Sequence, residues 1–215
     1  MAKPPTRESY AEGIGLFERA LALDPRSVEA QSSLAGALVA RVLNQMTDSA
    51  PEDIERAERL SERALAAAPR SPLAHTAKAQ VRRAQGRCEE AIPEYETVIA
   101  FNRNSVNSLS HLGWCKLLTG SIEDLIPLQE QAIRLSPRDP LMGNWYYRIG
   151  LVHLLQSRAD EAIVWLEKAR NAAPGLPYVY AHLAAAYALK GETYPAIAEL
   201  AKARKLTVVM RASPA

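Results

Sequence analysis

The stretch LLQSRADEAIVWLEKARNAAP, residues 154–174, contains the end of one helix, a sharp turn and a second amphipathic helix. Nearly the same phrase occurs upstream as RRAQGRCEEAIPEYETVIAFN, residues 82–102, and as KLLTGSIEDLIPLQEQAIRLSP, residues 116–137. A chain that repeats one supersecondary unit is usually a stack of such units. We therefore expect its function to lie in the surface that the stack builds, and not in a catalytic residue.

The repeated units start near Val28, Pro72, Val106, Gly143 and Pro177, and successive starts are 44, 34, 37 and 34 residues apart. Small residues recur at fixed positions, which is expected because two antiparallel helices approach closely only where the facing side chains are short. Only the periodicity of an α-helix fits this spacing. The eighth position is small in every unit: Ala35, Ala79, Gly113, Gly150 and Ala184.

A turn is predicted between the two helices of each unit. Gly86, Gly120 and Gly191 mark this turn, and Ser157 takes the place of glycine in the fourth unit. Acidic residues such as Glu89 follow the turn, where negative charge favours the start of a helix. We therefore interpret these acids as helix-start residues and not as a catalytic pair.

The first unit carries about ten extra residues between its helices. We expect its first helix to continue to about Met46. Asp48 or Ser49 is then predicted to cap a new helix that begins at Pro51. The helices of this unit should be longer than those of its neighbours.

With this period, these small residues and these turns, the sequence resembles the tetratricopeptide repeat (TPR) family. The resemblance implies an all-α fold, a right-handed α-solenoid of antiparallel helix pairs known as the TPR superhelix, with the whole chain as one solenoid domain. The predicted segments are a leading half repeat (1–27), TPR 1 with the insertion (28–71), TPR 2 (72–105), TPR 3 (106–142), TPR 4 (143–176), TPR 5 (177–210) and a tail (211–215).

A second, looser resemblance concerns phrases such as RAQGRCEEAI, residues 83–92. They are similar to the TPR region of bacterial class III adenylate/guanylate cyclase-like signalling proteins. The sequence contains no cyclase catalytic segment, so the resemblance implies no catalytic residue. It implies that the chain is a fragment of a larger bacterial signalling protein.

The composition is that of an ordinary globular chain, with 48% hydrophobic and 23% charged residues. The formal net charge is only +2 and no long block of one sign occurs, so no nucleic-acid partner is predicted. No apolar run is long enough to span a membrane. With only two cysteines, Cys88 and Cys115, no disulfide framework is expected, and we predict a cytoplasmic location.

No catalytic or cofactor signature is found. The sequence lacks a Gly-rich phosphate loop, an H-E-x-x-H motif and a G-x-S-x-G motif. His111 and Cys115 are spaced to share one helix face, but no third ligand is in register, so no metal site is predicted. We therefore expect a protein that is not an enzyme and has no cofactor.

The most informative surface is the one that the first helices of the units line. In the fourth unit NWYYRIGLVHLL, residues 144–155, is apolar almost all round, whereas a helix with one exposed face should carry only a stripe. Three explanations remain open: burial by tight curvature, cover by a further segment or a second copy, and a docking groove for an apolar helix. The TPR resemblance implies a concave partner-binding groove with these residues: Trp114, Leu117, Tyr147, Leu151, Leu154 and Tyr178.

The sequence thus predicts a protein–protein interaction module whose partner is a protein or peptide, bound as a helical or extended apolar segment. The leading alternative is a homo-oligomerisation scaffold that associates through its groove or through its ends. The ends carry no polar closing helix of the kind that solenoids usually need. We expect either weak self-association or cover by a partner there.

Overall fold

The computed structural model describes residues 6–212, with side chains up to Val208. Within this range the chain forms eleven α-helices and one short 3₁₀ helix and has no strand. The predicted all-α solenoid of antiparallel helix pairs is confirmed. Residues 1–5 of the predicted half repeat and 213–215 of the predicted tail lie outside the described range.

The helices fall into two compact units, with the boundary between Thr119 and Gly120. The first unit contains α1 (Arg7–Leu23), α2 (Val28–Leu43), α3 (Ala50–Ala67), α4 (Pro72–Ala84), α5 (Cys88–Phe101) and α6 (Val106–Leu118). The second unit contains the 3₁₀ helix (Ile122–Asp124), α7 (Leu125–Leu135), α8 (Met142–Leu155), α9 (Ala159–Ala172), α10 (Pro177–Leu189) and α11 (Thr193–Ala212).

The turns between paired helices have the predicted backbone conformation. Gly86, Gly120 and Gly191 have φ values of 75°, 96° and 81°, and Ser157 has φ 58°. In the turn at Ser157, the Arg158 N–H donates to the carbonyl of His153 at 2.9 Å, which closes the end of α8. The prediction that Ser157 replaces a turn glycine is confirmed.

The insertion in the first unit differs from the prediction at one end. Helix α2 ends at Leu43 and not at about Met46. The reason is that Gln45 adopts φ 57°, so that the Met46 N–H donates to the carbonyl of Arg41 at 2.9 Å and the chain leaves the helix. The two helices are long, as expected, with 16 residues in α2 and 18 in α3 against 13 in α4.

Ionic contacts join neighbouring helices of the first unit. Arg82 on α4 pairs with Glu58 on α3. Glu94 on α5 accepts hydrogen bonds from His75 Nδ1 at 2.5 Å and from Lys78 Nζ at 2.9 Å. Burial alone would raise the pKa of Glu94, but the hydrogen bonds from His75 and Lys78 outweigh it and lower the pKa.

Close helix packing in the second unit depends on glycine at two positions of α8. A Cβ atom on Gly150 would lie 2.8 Å from Leu166 Cγ, and one on Gly143 would lie 2.4 Å from the Cβ of Ala173. Helices α8 and α9 can therefore approach this closely only with glycine there. This packing fixes the position of α8, whose other side carries the candidate site.

Candidate functional site

Helix α8 has two apolar sides, and only one of them is core. Trp145, Ile149 and Val152 are almost completely buried. On the other side Tyr147 and Leu151 are half-buried. The almost uniformly apolar sequence of α8 therefore reflects one buried side and one side that still offers apolar surface.

An aromatic cluster joins α8 to α10. The rings of Tyr147 and Tyr178 meet edge to face, with centroids 4.7 Å apart and an interplanar angle of 64°. The ring of His182 meets Tyr147 at 5.4 Å. Edge-to-face pairs at such distances are favourable because the positive edge of one ring faces the negative face of the other. The two tyrosines are therefore held together without being buried.

Hydrogen bonds fix the orientation of this cluster. The Tyr178 hydroxyl donates to Asn144 Oδ1 at 2.5 Å, and His182 Nδ1 donates to the carbonyl oxygen of Tyr178 at 2.7 Å. Burial, together with the neighbouring Tyr178, raises the pKa of Tyr147 to about 12. Burial also raises the pKa of Tyr178, although the positive charge of Arg148 opposes this. Both hydroxyls are therefore neutral near pH 7, and the hydroxyl of Tyr178 donates the hydrogen bond to Asn144.

Two leucines extend the apolar surface beyond the aromatic cluster. Leu155 at the end of α8 is 57% exposed, and Leu189 at the end of α10 is 60% exposed. They occupy the same position in successive repeats, 34 residues apart. Residues 147, 151 and 155 follow one another at intervals of four and so share one face of α8. We call the set Tyr147, Leu151, Leu155, Tyr178 and Leu189 the α8–α10 surface.

The four predicted site residues of the second unit differ in exposure. Tyr147 and Leu151 are half-buried, and Tyr178 is exposed. Leu154 is half-buried and packs against the core cluster that contains Leu166. Tyr147 packs against the same cluster, so both side chains are partly core and partly surface.

The two predicted site residues of the first unit lie on α6. Trp114 is half-buried, whereas Leu117 is buried. Their neighbour Leu118 is 59% exposed and has the same repeat position as Leu155. Leu117 therefore offers little area to a ligand, and its role, like that of Trp114, stays a prediction.

Some contributors are not among the six predicted site residues. Leu155 and Leu189 were recognisable as the leucines that end successive first helices. His182 and the bond from Tyr178 to Asn144 had no sequence signal, because they depend on how α10 sits against α8. Within the second unit, the contacts of Tyr178 and His182 with α8 bring the side chains of the two helices together on one surface.

The described cysteines and possible metal ligands do not point to a catalytic or metal site. Cys88 and Cys115 are both buried thiols. The described part of the chain has no group of three His, Cys, Asp or Glu side chains that could hold a metal ion. Within residues 6–212, none of the helices has both the length and the apolar content needed to span a bilayer.

A sequence model of the tetratricopeptide repeat family matches residues 50–106 and 126–177. The two matched segments together make up about half of the chain. No curated protein sequence matches it.

Several solved structures are similar to this one. MamA has 22% identity and a TM-score of 0.65, with 76% of this chain and 94% of the MamA chain covered. YrrB, described as a TPR protein with an unusual peptide-binding site, has 18% identity and a TM-score of 0.63, with 88% and 91% covered. BtubC from P. vanneervenii has 18% identity and a TM-score of 0.69, with 98% and 92% covered. At these identities the likeness shows the fold alone.

Proposed function

Because the chain belongs to the tetratricopeptide repeat family, we propose that it is a non-catalytic protein-interaction module that binds a helical or extended apolar segment of a partner protein. The proposed binding site is the α8–α10 surface together with Leu154. The observation that carries the proposal is the fixed Tyr147–Tyr178 pair beside leucines that are more than half exposed.

The arrangement suits an apolar ligand for a physical reason. Tyrosine side chains that are already held in place lose little conformational entropy when a partner covers them, and aromatic residues often dominate the binding energy of an interface. The stripe of Tyr147, Leu151 and Leu155 has the spacing that apolar anchors of a docked helix use.

Polar groups at the edge of the α8–α10 surface could orient such a ligand. Asn144, Arg148 and His182 lie on the same two helices as the aromatic pair. Amide and guanidinium groups bind the backbone carbonyls of a peptide, and this would favour one direction of binding. YrrB is described as having a peptide-binding site, so a peptide is the first ligand to test for this chain.

The test uses a displayed library of random 15-residue peptides selected on the wild-type chain. Selected peptides should carry large apolar residues three or four positions apart. Their affinity should fall at least about tenfold for Leu151→Asp and for Tyr178→Ala. Val164→Asp is the matched control, because Val164 is 51% exposed on α9 and lies outside the proposed site.

Two outcomes would contradict the proposal. One is that the selected peptides bind both site variants as tightly as the wild type. The other is that Val164→Asp weakens binding as much as Leu151→Asp does. Circular dichroism of each variant shows whether it keeps its helix content.

The alternative function is a homo-oligomerisation scaffold that associates through its groove or through its ends, and in the first case a second copy would occupy the same surface. Leu151→Asp would then lower the mass in solution, and no peptide would be selected. Roles for Trp114 and Leu117, a cytoplasmic location and an origin in a larger signalling protein stay predictions.

A further inference from the structure

A groove between α10 and α11, with a volume of 540 Å³, adjoins the proposed peptide site. Tyr178 and Ala181 of α10 line one side of this α10–α11 groove. Leu200, Arg204 and Val208 of α11 line the other side, and successive members of this row are four residues apart. Since residues four apart share one face of a helix, α11 presents an apolar, a basic and again an apolar side chain to the groove.

Tyr178 belongs both to the α10–α11 groove and to the α8–α10 surface. Its ring meets that of Tyr147 on α8, with centroids 4.7 Å apart, and the same residue lines the groove. Exposed apolar area continues on α11, where Leu200 is 40% exposed and Val208 is 65% exposed. The surface and the groove therefore meet at Tyr178, and a ligand that covers the tyrosine pair lies next to the groove.

The charge around this junction is positive. Neither α8 nor α10 contains Asp or Glu. The positive charge of Arg148 acts on both tyrosine hydroxyls, since it opposes the rise of both pKa values. Glu199 on α11 is buried and pairs with Arg170 at 2.5 Å, so its charge is already balanced. Such an environment favours a ligand that brings negative charge.

The preceding unit shows what an arginine at the position of Arg204 pairs with. Arg170, 34 residues earlier, pairs with Glu167 at 3.2 Å and with Glu199 at 2.5 Å. The residue that corresponds to Glu167 is Ala201, so the partner on the same helix is missing for Arg204. Among the described residues no carboxylate pairs with Arg204. A carboxylate from a ligand would take the place that the glutamates take at Arg170.

We propose that the ligand of the α8–α10 surface continues into the α10–α11 groove, where it carries a carboxylate that pairs with Arg204 and apolar side chains that contact Leu200 and Val208. This inference rests on the proposed function and specifies the chemistry of its ligand. A guanidinium group can donate two parallel hydrogen bonds to one carboxylate, which adds direction to the apolar contacts.

The spacing on α11 sets the pattern of the ligand. Residues four apart on a helix are separated by about 6 Å along its axis. This is close to the length of two residues of an extended segment, or of four residues of a helix. We therefore expect an acidic residue between two apolar residues, at every second position in an extended ligand and at every fourth position in a helical one.

Two selections from the library of random 15-residue peptides test this, one on the wild-type chain and one on Arg204→Glu. Peptides selected on the wild type should have an acidic residue between two apolar ones at least about three times as often as the unselected library. Those selected on Arg204→Glu should have Lys or Arg there instead. Lys205→Glu is the matched control, because Lys205 is exposed on the same helix but does not line the groove. It should select the same acidic peptides as the wild type.

Fluorescence anisotropy of one labelled peptide from the wild-type selection measures the ion pair directly. Its affinity should fall at least about tenfold for Arg204→Glu and less than about threefold for Lys205→Glu. When the acidic residue of the peptide is changed to lysine, binding to Arg204→Glu should return to within about threefold of the original pair. Binding to the wild type should weaken in 0.5 M salt, because salt screens the charges.

A second pair of variants tests whether the ligand enters the groove. Leu200→Asp puts a charge into the apolar side of the groove, so the affinity for the labelled peptide should fall at least about tenfold. Ile197→Asp is the control, because Ile197 is 62% exposed on α11 but does not line the groove. It should bind the peptide as the wild type does. Circular dichroism shows whether both variants keep their helix content.

The inference and the proposed function fail in different ways. Selected peptides without an excess of acidic residues, or with unchanged affinity for Arg204→Glu, would overturn the inference and leave the proposed function standing. Equal effects of Leu200→Asp and Ile197→Asp would also overturn it, because the ligand would not enter the groove. If the wild type selects no peptide, both fail. A mass in solution that grows with concentration and is lowered by Leu200→Asp would then identify a second copy as the occupant.

Discussion

The ring of Tyr147 on α8 lies edge to face against the ring of Tyr178 on α10, with 4.7 Å between their centroids. The same Tyr178 donates its hydroxyl hydrogen to Asn144 of α8. One residue of α10 is therefore tied to α8 at two points, once through its ring and once through its hydroxyl. This makes the two contributions separable by mutation.

Tyr178→Phe keeps the ring contact and removes the hydrogen bond, so the free energy of unfolding should fall by about 1 kcal/mol. Tyr147→Ala removes a half-buried ring and the contact with Tyr178 and His182, so a larger loss of about 2 kcal/mol is expected. Urea denaturation followed by circular dichroism measures both. Equal losses for the two variants would contradict this account, because the ring of Tyr147 would then contribute no more than the hydroxyl of Tyr178.

Gly143→Ala should destabilise the chain by about 2 kcal/mol, because the new methyl group overlaps Ala173 and α8 must move away from α9. The clash is with the short side chain and the backbone of Ala173, directly after the end of α9, so no flexible group can move aside. Gly13→Ala is the control, since a Cβ there meets nothing. It should raise the free energy of unfolding by about 1 kcal/mol. If both variants lost the same stability, the contact between α8 and the end of α9 would not explain why glycine is needed at position 143.

Ser157→Gly should stabilise the turn after α8. Ser157 has φ 58°, and holding a residue with a Cβ atom there costs roughly 1–2 kcal/mol, more than the roughly 0.5–1 kcal/mol of extra chain entropy that glycine loses. A net gain of about 0.5 kcal/mol is expected from the difference. Gly191→Ala makes the reverse change at φ 81° and should lose about 1 kcal/mol. Thermal denaturation of both variants would refute this account if their effects had the same sign.

Acid should destabilise the first unit through Glu58 and Glu94. Burial opposes ionisation of Glu58, but hydrogen bonds from Arg82 and Gln85 outweigh it and lower its pKa, as His75 and Lys78 do for Glu94. Both pKa values lie below their ordinary value of 4.5 in the folded chain, so the unfolded chain binds more protons in this range. The stabilisation is complete above pH 4.5 and is lost as the pH falls through the lowered values.

The measurement is the urea midpoint at a series of pH values between neutral and strongly acidic. Glu94→Gln keeps the shape of the side chain and removes its titration, so the midpoint of this variant should fall less steeply below pH 4.5 than that of the wild type. An unchanged slope would mean that Glu94 has the same pKa in the folded and unfolded chain.

The sequence by itself determined the fold class, the turns and the family. Small residues at the eighth position of each unit and a glycine or serine at each turn are local requirements, since helix approach depends on side-chain size and a positive φ depends on the residue that adopts it. Such requirements can be recognised wherever the repeat recurs. The predicted end of α2 was wrong because glutamine is not a residue type that indicates a positive φ.

Only the tertiary structure decided which apolar residues are surface and which are core. Trp145 and Tyr147 are two positions apart on one helix, yet the first is buried and the second half-exposed, because exposure depends on the neighbouring helices and not on the residue type. In the same way Leu166 and Leu200 have the same repeat position, but α10 covers only the first. Sequence periodicity identifies the face of a helix, whereas burial is set by what packs against that face.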